Sequence, residues 1–324
     1  MTAARSRLVD PTASGFYHCI SRCVRRAFLC GEDALTGRTF EHRKQWVEDR
    51  LLALAETFAV GVYAYAVMGN HAHLVLYVDP GATLAWSADD IAERWVQLTP
   101  VCVNGEIDPE GCRAKAQALA GNAERIAILR RRLSSLSWFM KCLNEPIARR
   151  ANREDACSGH FWESRFKCQA LLDDAAVLAC MSYVDLNPIR AGLAADLPSS
   201  PHTSVQRRLG ESDSIAQTAL HPVAGTTCAP QMPVTLIEYL TLTDWTGRTR
   251  RPDKRGVIAA DAPAAIARLG LSSEQWHSQA AGIETHYWRA VGAVDAMIEK
   301  ARAMGQCWLK GVGGGSGRVS IRGV

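Results

Sequence analysis

The chain lacks several features that would assign its class at once. It has 324 residues but no stretch of about 20 apolar residues and no apolar signal-peptide core, so we expect no membrane span and no secretion. Its eleven cysteines include no Cys-x-x-Cys pair, and their spacing matches no common zinc motif. We therefore interpret them as mostly buried free thiols of a protein that works in the reducing cytoplasm.

A strong excess of one charge is also missing. The formal net charge is only +4, and an excess this small does not by itself imply a nucleic-acid partner. The arginines are nevertheless clustered, and such clusters are either solvated helix faces or phosphate-binding surfaces. The clusters are Arg22/Arg25/Arg26, Arg130/Arg131/Arg132, Arg149/Arg150/Arg153, Arg207/Arg208 and Arg248/Arg250/Arg251 with Lys254/Arg255.

Hydrophobic patterns predict a chain of strands and helices in which a strand, a helix and a second strand come first. Alternation of apolar residues predicts strands, spacing of three to four residues predicts helices, and Asp173-Asp174 is a helix N-terminal signal. The predicted elements are a strand over 15–24, a helix over 41–58, a strand within 63–77, a helix over 129–148, a bend and strand over 160–172, and a helix from Ala175 to about Asn187.

A change in character after Leu197 predicts a second part of the chain. Pro198-Ser-Ser-Pro201 interrupts the pattern, and short helical stretches follow, with a last helix from about Trp276 to Met304 broken at a glycine. The predicted organisation is a catalytic domain over 1–197 with a helical insertion over about 81–158, then a helical extension over 198–324 that ends in a flexible Gly-rich tail.

Two histidines separated by one residue, His71 and His73, lie in an apolar strand pattern. Because strand side chains alternate, residues i and i+2 point to the same side, so both imidazoles could reach one divalent metal ion. The alternative is a purely structural pair, which is the more common role of two histidines on a strand.

A second polar pair, Tyr183 and Asn187, is four residues apart on a predicted helix and shares one face. The Asn187 carbonyl oxygen suits Mg²⁺ or Mn²⁺, and an activated Tyr183 hydroxyl is a nucleophile. A metal held by His71, His73 and Asn187 could polarise a phosphodiester while Tyr183 attacks phosphorus, leaving a phosphotyrosine at a DNA 5′ end and a free 3′ hydroxyl. The alternatives are a half-buried core tyrosine and a helix C-cap at Asn187.

Four segments in a fixed order resemble the HUH-type single-tyrosine transposases, and in particular their REP-associated branch. The segments are Phe16-Tyr-His-Cys-Ile-Ser-Arg-Cys-Val-Arg-Arg26, Tyr65-Ala-Val-Met-Gly-Asn-His-Ala-His-Leu-Val-Leu76, Gly159-His-Phe-Trp-Glu-Ser-Arg-Phe-Lys167 and Tyr183-Val-Asp-Leu-Asn-Pro-Ile-Arg-Ala-Gly192. The resemblance implies an α+β fold, with a ferredoxin-like antiparallel sheet and flanking helices (the HUH fold). It also implies metal binding by His71 and His73, a Tyr183 nucleophile, and Asn187 as third ligand.

The function that the resemblance implies is a metal-dependent transposase or single-strand endonuclease. Such an enzyme cleaves and rejoins hairpin-containing single-stranded DNA in the cytoplasm, at the nucleoid, as a monomer or homodimer. Two alternatives stay open: a domesticated relative that binds DNA hairpins without mobilising them, and a metal-binding regulatory or RNA-binding protein. The side chains expected to face DNA are Arg22, Arg25, Arg26, Arg165, Arg190, Arg248, Arg250 and Arg251.

Aromatic residues near these arginines have two interpretations. We expect Trp162 and Phe166 to be core residues rather than DNA contacts. The segment from Asp244 to Arg248, with the basic residues after it, predicts a basic turn that could hold phosphates or stack a base. The alternative is a surface loop anchored by Trp245.

Overall fold

A computed structural model of the chain describes residues 7–24, 31–32, 37–210, 217–225, 229–249 and 262–312. The elements in chain order are β1 (Gly15–Arg22), α1 (His42–Thr57), β2 (Val60–Val67), β3 (His71–Val78), a 3₁₀ turn (Gly81–Ala85), α2 (Ala88–Leu98), β4 (Cys102–Val103), β5 (Glu106–Ile107), α3 (Pro109–Ala120), α4 (Ala123–Leu133), α5 (Leu136–Glu154), β6 (Lys167–Leu171), α6 (Asp174–Asp185), α7 (Asn187–Arg190), α8 (Ser204–Leu209), β7 (Ala219–Leu220), β8 (Ala224–Gly225), β9 (Met232–Thr235), α9 (Leu236–Thr249), α10 (Ala264–Arg268), α11 (Ser273–Gly282), β10 (Ala290–Val291) and α12 (Val294–Ala303).

One sheet of six strands, in the order β10-β6-β1-β3-β2-β8, organises the molecule and confirms the α+β class. Strand β1 is antiparallel to both of its neighbours, β3 and β6, and β3 is antiparallel to β2. Strands β1 and β2 therefore run in the same direction, with β3 between them and α1 as the crossover. At one edge β10 pairs parallel with β6. The sheet is therefore mixed, which corrects our expectation of a purely antiparallel sheet.

The apolar run over 63–77 forms parts of two strands instead of one. Gly69 and Asn70 make a two-residue loop that is closed by a hydrogen bond of 2.8 Å from the Met68 amide to the His71 carbonyl. Glycine and asparagine favour tight turns, but apolar residues lie on both sides of this loop in sequence. The apolar pattern alone therefore does not show that the chain reverses direction here. His71 consequently begins β3 at the hairpin end of the sheet.

Both faces of the sheet are covered, and the buried side chains fall into two main clusters. Every residue of β2 is buried, and a bulge between Val62 and Ala64 shifts its alternation. One cluster packs residues of α1 and α5, such as Leu51 and Phe139, against one face. The other packs α6, α9 and α11 against the opposite face. The site described below lies on the α6 side.

The chain after Leu197 joins this sheet at both edges. Strand β8 pairs with β2, and strand β10 pairs with β6. Tyr239 of α9 and Trp276 of α11 are fully buried in the cluster that contains α6. The predicted helix over 276–304 is interrupted, because α11 ends at Gly282 and α12 begins at Val294, with β10 and Gly292 between them. The division at residue 197 remains an expectation about folding units, and the predicted tail lies mostly outside the described residues.

Residues 81–158 are mainly helical, with one small hairpin (β4–β5) at Asn104-Gly105. The single helix predicted over 129–148 is wrong, because α4 ends at Leu133 and α5 begins at Leu136. The Ser135 hydroxyl caps α5 by accepting from the Trp138 amide at 3.5 Å, which restarts the helix without breaking the apolar spacing. Among the described residues, no helix is long and apolar enough to cross a bilayer.

Candidate active site

Strands β1 and β3 bring three imidazoles together on the α6 side of the sheet. His71 and His73 point to the same side, with ring centroids 4.7 Å apart. His18 of β1 lies beside them, with its ring stacked 5.3 Å from that of His73. His18 and His73 are fully buried, whereas His71 is half-buried. The structure therefore extends the predicted histidine pair to a row of three.

Helix α6 places Tyr183 over this row. The helix begins where Asp173 accepts a hydrogen bond of 2.8 Å from the Ala176 amide, as its sequence predicted. The Tyr183 ring is half-buried, and its centroid lies 5.8 Å from that of His73. The Arg190 guanidinium lies 4.8 Å from the centre of the phenol ring. The structure thus brings together the predicted nucleophile and the predicted metal ligands, although they are far apart in sequence.

Asn187 lies beside Tyr183 but not on the same helix. Helix α6 ends at Asp185 and Asn187 begins α7, which corrects the prediction of one continuous helix. Leu186, between the two helices, keeps helical angles (φ −83°, ψ −7°), so Asn187 still lies one helical turn after Tyr183. The Nδ2 atom of Asn187 is buried and has no hydrogen-bond partner among the described residues. The Asn187 side chain nevertheless acts on the Tyr183 phenol in the direction that lowers its pKa, so its amide lies close to the hydroxyl.

Glu284, which no sequence pattern marks, completes the group from the C-terminal part of the chain. Its Oε1 atom lies 3.8 Å from Nδ1 of His73, and its side chain is about one-third exposed. Burial and then the negative charge of Glu284 raise the pKa of Tyr183 above its usual range, while Arg190 and Asn187 act in the opposite direction. The phenol is therefore protonated, and it needs a proton acceptor before it can act as a nucleophile.

A chain of hydrogen bonds determines which nitrogen of His73 carries its proton. Gln169 of β6 donates through Nε2 to the carbonyls of Ile283 (2.7 Å) and Tyr287 (3.2 Å), so its Oε1 accepts from Nδ1 of His18 at 2.9 Å. Burial lowers the pKa of both His18 and His73, so both rings are neutral. Nε2 of His18 then accepts from Nδ1 of His73 at 3.0 Å. Nε2 of His73 is left with a lone pair.

His71 has the same arrangement of nitrogens. Its Nδ1 lies 2.5 Å from Oδ1 of Asn70, an acceptor, so Nδ1 donates and Nε2 keeps its lone pair. Burial, and then the positive charge of Arg22, lower the pKa of His71 to about 4. Both predicted ligands are therefore neutral near pH 7, with one nitrogen held by an oxygen or imidazole partner and the other available. Metal-binding histidines have this pattern.

This donor set fits a divalent cation. Nε2 of His73 is buried without a hydrogen-bond partner among the described residues, and a cation is one partner that would satisfy it. The Glu284 carboxylate and the side-chain amide of Asn187 both act on the Tyr183 hydroxyl. Within the described part of the chain no three His, Cys, Asp or Glu side chains form a metal-binding group. An oxygen ligand would therefore come from an amide such as that of Asn187, or from substrate.

The predicted DNA contacts separate into three groups. Arg22 and Arg165 are exposed and line a cleft of about 660 Å³ that also contains His18 and Glu284. Arg190 contacts Tyr183, as described above. Arg248 pairs with Asp244 at 2.6 Å on α9 and does not line this cleft. The other four predicted arginines lie outside the described residues: Arg25, Arg26, Arg250 and Arg251.

The aromatic predictions have opposite outcomes. Phe166 is buried, and Trp162 is half-buried with its Nε1 donating to the Asn144 carbonyl at 2.9 Å, so the core interpretation is confirmed. Residues 244–249 of the expected basic turn are instead the C-terminal half of α9, and the basic residues from Arg250 to Arg255 lie outside the described residues. The Trp245 ring stacks 4.4 Å from that of His277 and is therefore engaged in internal packing.

Comparisons with known proteins add little. No sequence family model matches the chain, and no curated protein matches it. Among solved structures, the chain is similar to a REP-associated tyrosine transposase bound to a REP hairpin, with 11% identity and a TM-score of 0.34 over 72% of this chain and 97% of that chain. A likeness this distant carries no argument about function.

Proposed function

We propose that the protein is a divalent-metal-dependent enzyme that cleaves and rejoins single-stranded DNA beside hairpins through a covalent bond to Tyr183. The observation that carries this proposal is that the Tyr183 ring lies over His73, and that His73 and His71 each keep an available nitrogen on the same face of the sheet. The antiparallel order β6-β1-β3-β2, with α1 as crossover, supports the ferredoxin-like arrangement that the family resemblance implies.

His71, His73 and an oxygen of Asn187 would hold the Mg²⁺ or Mn²⁺ ion. When bound, the ion supplies Lewis-acid polarisation of a phosphate oxygen. The donor types match this role, because imidazole nitrogen and amide oxygen both bind these cations.

Tyr183 performs the chemical step. Its hydroxyl oxygen bonds to phosphorus as the bond from phosphorus to the 3′ oxygen breaks, which gives a 5′ phosphotyrosine and a free 3′ hydroxyl. We assign the phenol proton to Glu284, the carboxylate that acts on the phenol. The departing 3′ oxygen takes a proton from solvent water, and the reverse reaction with another 3′ hydroxyl rejoins the strand.

Basic side chains orient the DNA around this step. Arg190 lies over the Tyr183 ring and lowers its pKa, which favours the phenolate. Arg22, Arg165 and Lys167 are exposed along the cleft and are suited to phosphate contacts. Contacts of this type give an affinity that weakens as salt is added.

A covalent adduct on a denaturing gel tests the proposal. The oligonucleotides should carry hairpins from DNA that flanks the gene, and the label belongs at the 3′ end, because the predicted product keeps that end. We expect an adduct in Mn²⁺, none in EDTA, and none with Tyr183→Phe. Tyr77→Phe is a matched control, since Tyr77 is a half-buried tyrosine of β3 in the same apolar cluster. Adduct formation by Tyr183→Phe would remove the nucleophile assignment.

A DNA-hairpin-binding protein without cleavage activity is the second candidate. One observation favours it: burial and Glu284 raise the pKa of Tyr183, which weakens the phenol as a nucleophile. The same gel separates the two candidates, because a binding protein retains hairpins in a native gel but gives no adduct with the wild-type chain.

A further inference from the structure

Two tryptophans of the C-terminal part are unusually exposed. Trp288 is 58% exposed and Trp308 is 69% exposed, whereas the other seven of the nine tryptophans are buried or half-buried. Tryptophan is highly buried on average, because its ring offers a large apolar area. Two exposed rings close together therefore indicate a binding surface.

Both rings line one groove, and this groove continues the larger cleft that His18 and Glu284 line. Trp288, Arg289, Trp308 and Lys310 line a space of about 430 Å³. Trp288 and Arg289 also line the larger cleft that contains Glu284. Because the two spaces share these lining residues, the groove leads away from the active site along the surface of the C-terminal part.

The backbone that carries the two rings is held in place. The Arg289 carbonyl accepts a hydrogen bond of 2.8 Å from the Ala170 amide, which fixes the residue after Trp288 to the edge of β6. Leu309, next to Trp308, is buried. Lys310 donates through Nζ to the Thr285 carbonyl at 3.0 Å, which ties the Trp308 segment to the loop of Glu284.

The chemistry of the groove suits an unpaired nucleic-acid strand. The Arg289 guanidinium lies 5.2 Å from the centre of the Trp288 ring, so positive charge and an aromatic face occur together. Arg22, Arg165 and Lys167 line the cleft at the other end of the path. Unpaired bases stack on aromatic rings while cations follow their phosphates, whereas a duplex keeps its base faces inside.

We propose that Trp288 and Trp308 form a stacking surface for unpaired bases of single-stranded DNA that leaves the Tyr183 site through the cleft. The choice of DNA rests on the proposed function, because the strand on this surface is the one that carries the phosphate to be cut. The surface gives the C-terminal part of the chain a role in holding substrate, in addition to supplying Glu284.

The test is a binding titration by fluorescence anisotropy with a labelled oligothymidylate of about 20 nucleotides, which forms no hairpin. We expect the double variant Trp288→Ala/Trp308→Ala to bind at least about tenfold more weakly than wild type. Trp288→Phe/Trp308→Phe, which keeps two aromatic faces, should stay within about threefold. Ile107→Ala is a matched control, because Ile107 is an exposed apolar residue (64%) of a different hairpin, and it should bind as wild type. Circular dichroism shows whether each variant is folded.

Three results would overturn the proposal. The first is equal oligothymidylate affinity for the alanine variant and wild type. The second is tighter binding of an oligouridylate of the same length. The third is a difference in sedimentation between wild type and the alanine variant in the absence of nucleic acid, which would make the surface a contact between copies. The adduct gel separates this proposal from the proposed function. If wild type forms the adduct and the alanine variant binds as wild type does, only the stacking surface is excluded. If the alanine variant binds more weakly but wild type forms no adduct, only the catalytic assignment is excluded.

Discussion

The two faces of the central sheet use the same strands in different ways. Toward α1 and α5, strand β3 presents Leu74 and Leu76 to an apolar cluster. Toward α6, the same strand presents His73, which is equally buried but is held by a hydrogen bond to His18. Burying a polar group costs free energy unless it has a hydrogen-bond partner. Apolar packing therefore positions the side chains of the first face, and a chain of hydrogen bonds positions those of the second. The proposed function gives these buried imidazoles a role as metal ligands, and substitutions on the two faces test it.

Substituting one residue on each face should have opposite effects. Leu74→Ala should lower the free energy of unfolding by about 2–5 kcal/mol, because it leaves a cavity, without changing Mn²⁺ affinity. His73→Ala should lower Mn²⁺ affinity by about 100-fold, because it removes a nitrogen ligand, and should affect stability less. Urea unfolding and calorimetric titration measure the two effects. If His73→Ala destabilises as much as Leu74→Ala and leaves Mn²⁺ binding intact, the imidazole is structural.

The hydrogen-bond chain behind His73 should matter next. Gln169→Leu removes the oxygen that accepts from His18, so the proton on His73 is no longer confined to Nδ1. We expect Mn²⁺ affinity to fall by about 10-fold to 100-fold and the nitrogen NMR signals of His73 to show a second tautomer. Gln279→Leu replaces another buried glutamine and serves as control. Wild-type affinity and a single unchanged tautomer in Gln169→Leu would contradict the assigned chain.

The smallest expected effect is a pH dependence from His71. Its pKa is lowered to about 4, whereas a histidine in the unfolded chain titrates near about 6.5. Between these values the unfolded state binds more protons, so the free energy of unfolding falls as the pH falls from about 6.5 toward 4 and is constant above that range. The two pKa values correspond to about 3 kcal/mol, and because the His71 ring is partly exposed we expect a loss of about 2 kcal/mol in metal-free buffer. His71→Asn, which does not titrate there, should give a flatter profile; an unchanged slope would contradict the assignment.

Local signals were sufficient for part of the fold. Helices α1 and α6 and strand β1 follow from apolar spacing and, for α6, from the Asp173 cap, because these depend on neighbours in sequence. The β2–β3 hairpin was missed because its Gly69-Asn70 loop lies inside an unbroken apolar alternation. The edge strands β8 and β10 have two residues each, which is too short for any period.

The site was predictable only where its residues carry a pattern. His71, His73, Tyr183 and Asn187 stand out by spacing, and the structure brings them together. His18 lies in a predicted strand, but its role depends on which strands pair and in which register. Glu284 follows the end of α11 and reaches the site only through the packing of the C-terminal part, so no local signal marks it.

The central claim is that Tyr183 forms the bond to phosphorus, and peptide mapping of the adduct tests it most directly. Trypsin cleavage after Lys167 and Arg190 releases a peptide over 168–190 whose only tyrosine is Tyr183. After reaction with a hairpin oligonucleotide and digestion by nuclease and trypsin, we predict a nucleotide mass on this peptide at Tyr183. A nucleotide on any other peptide of the wild-type protein would contradict the account.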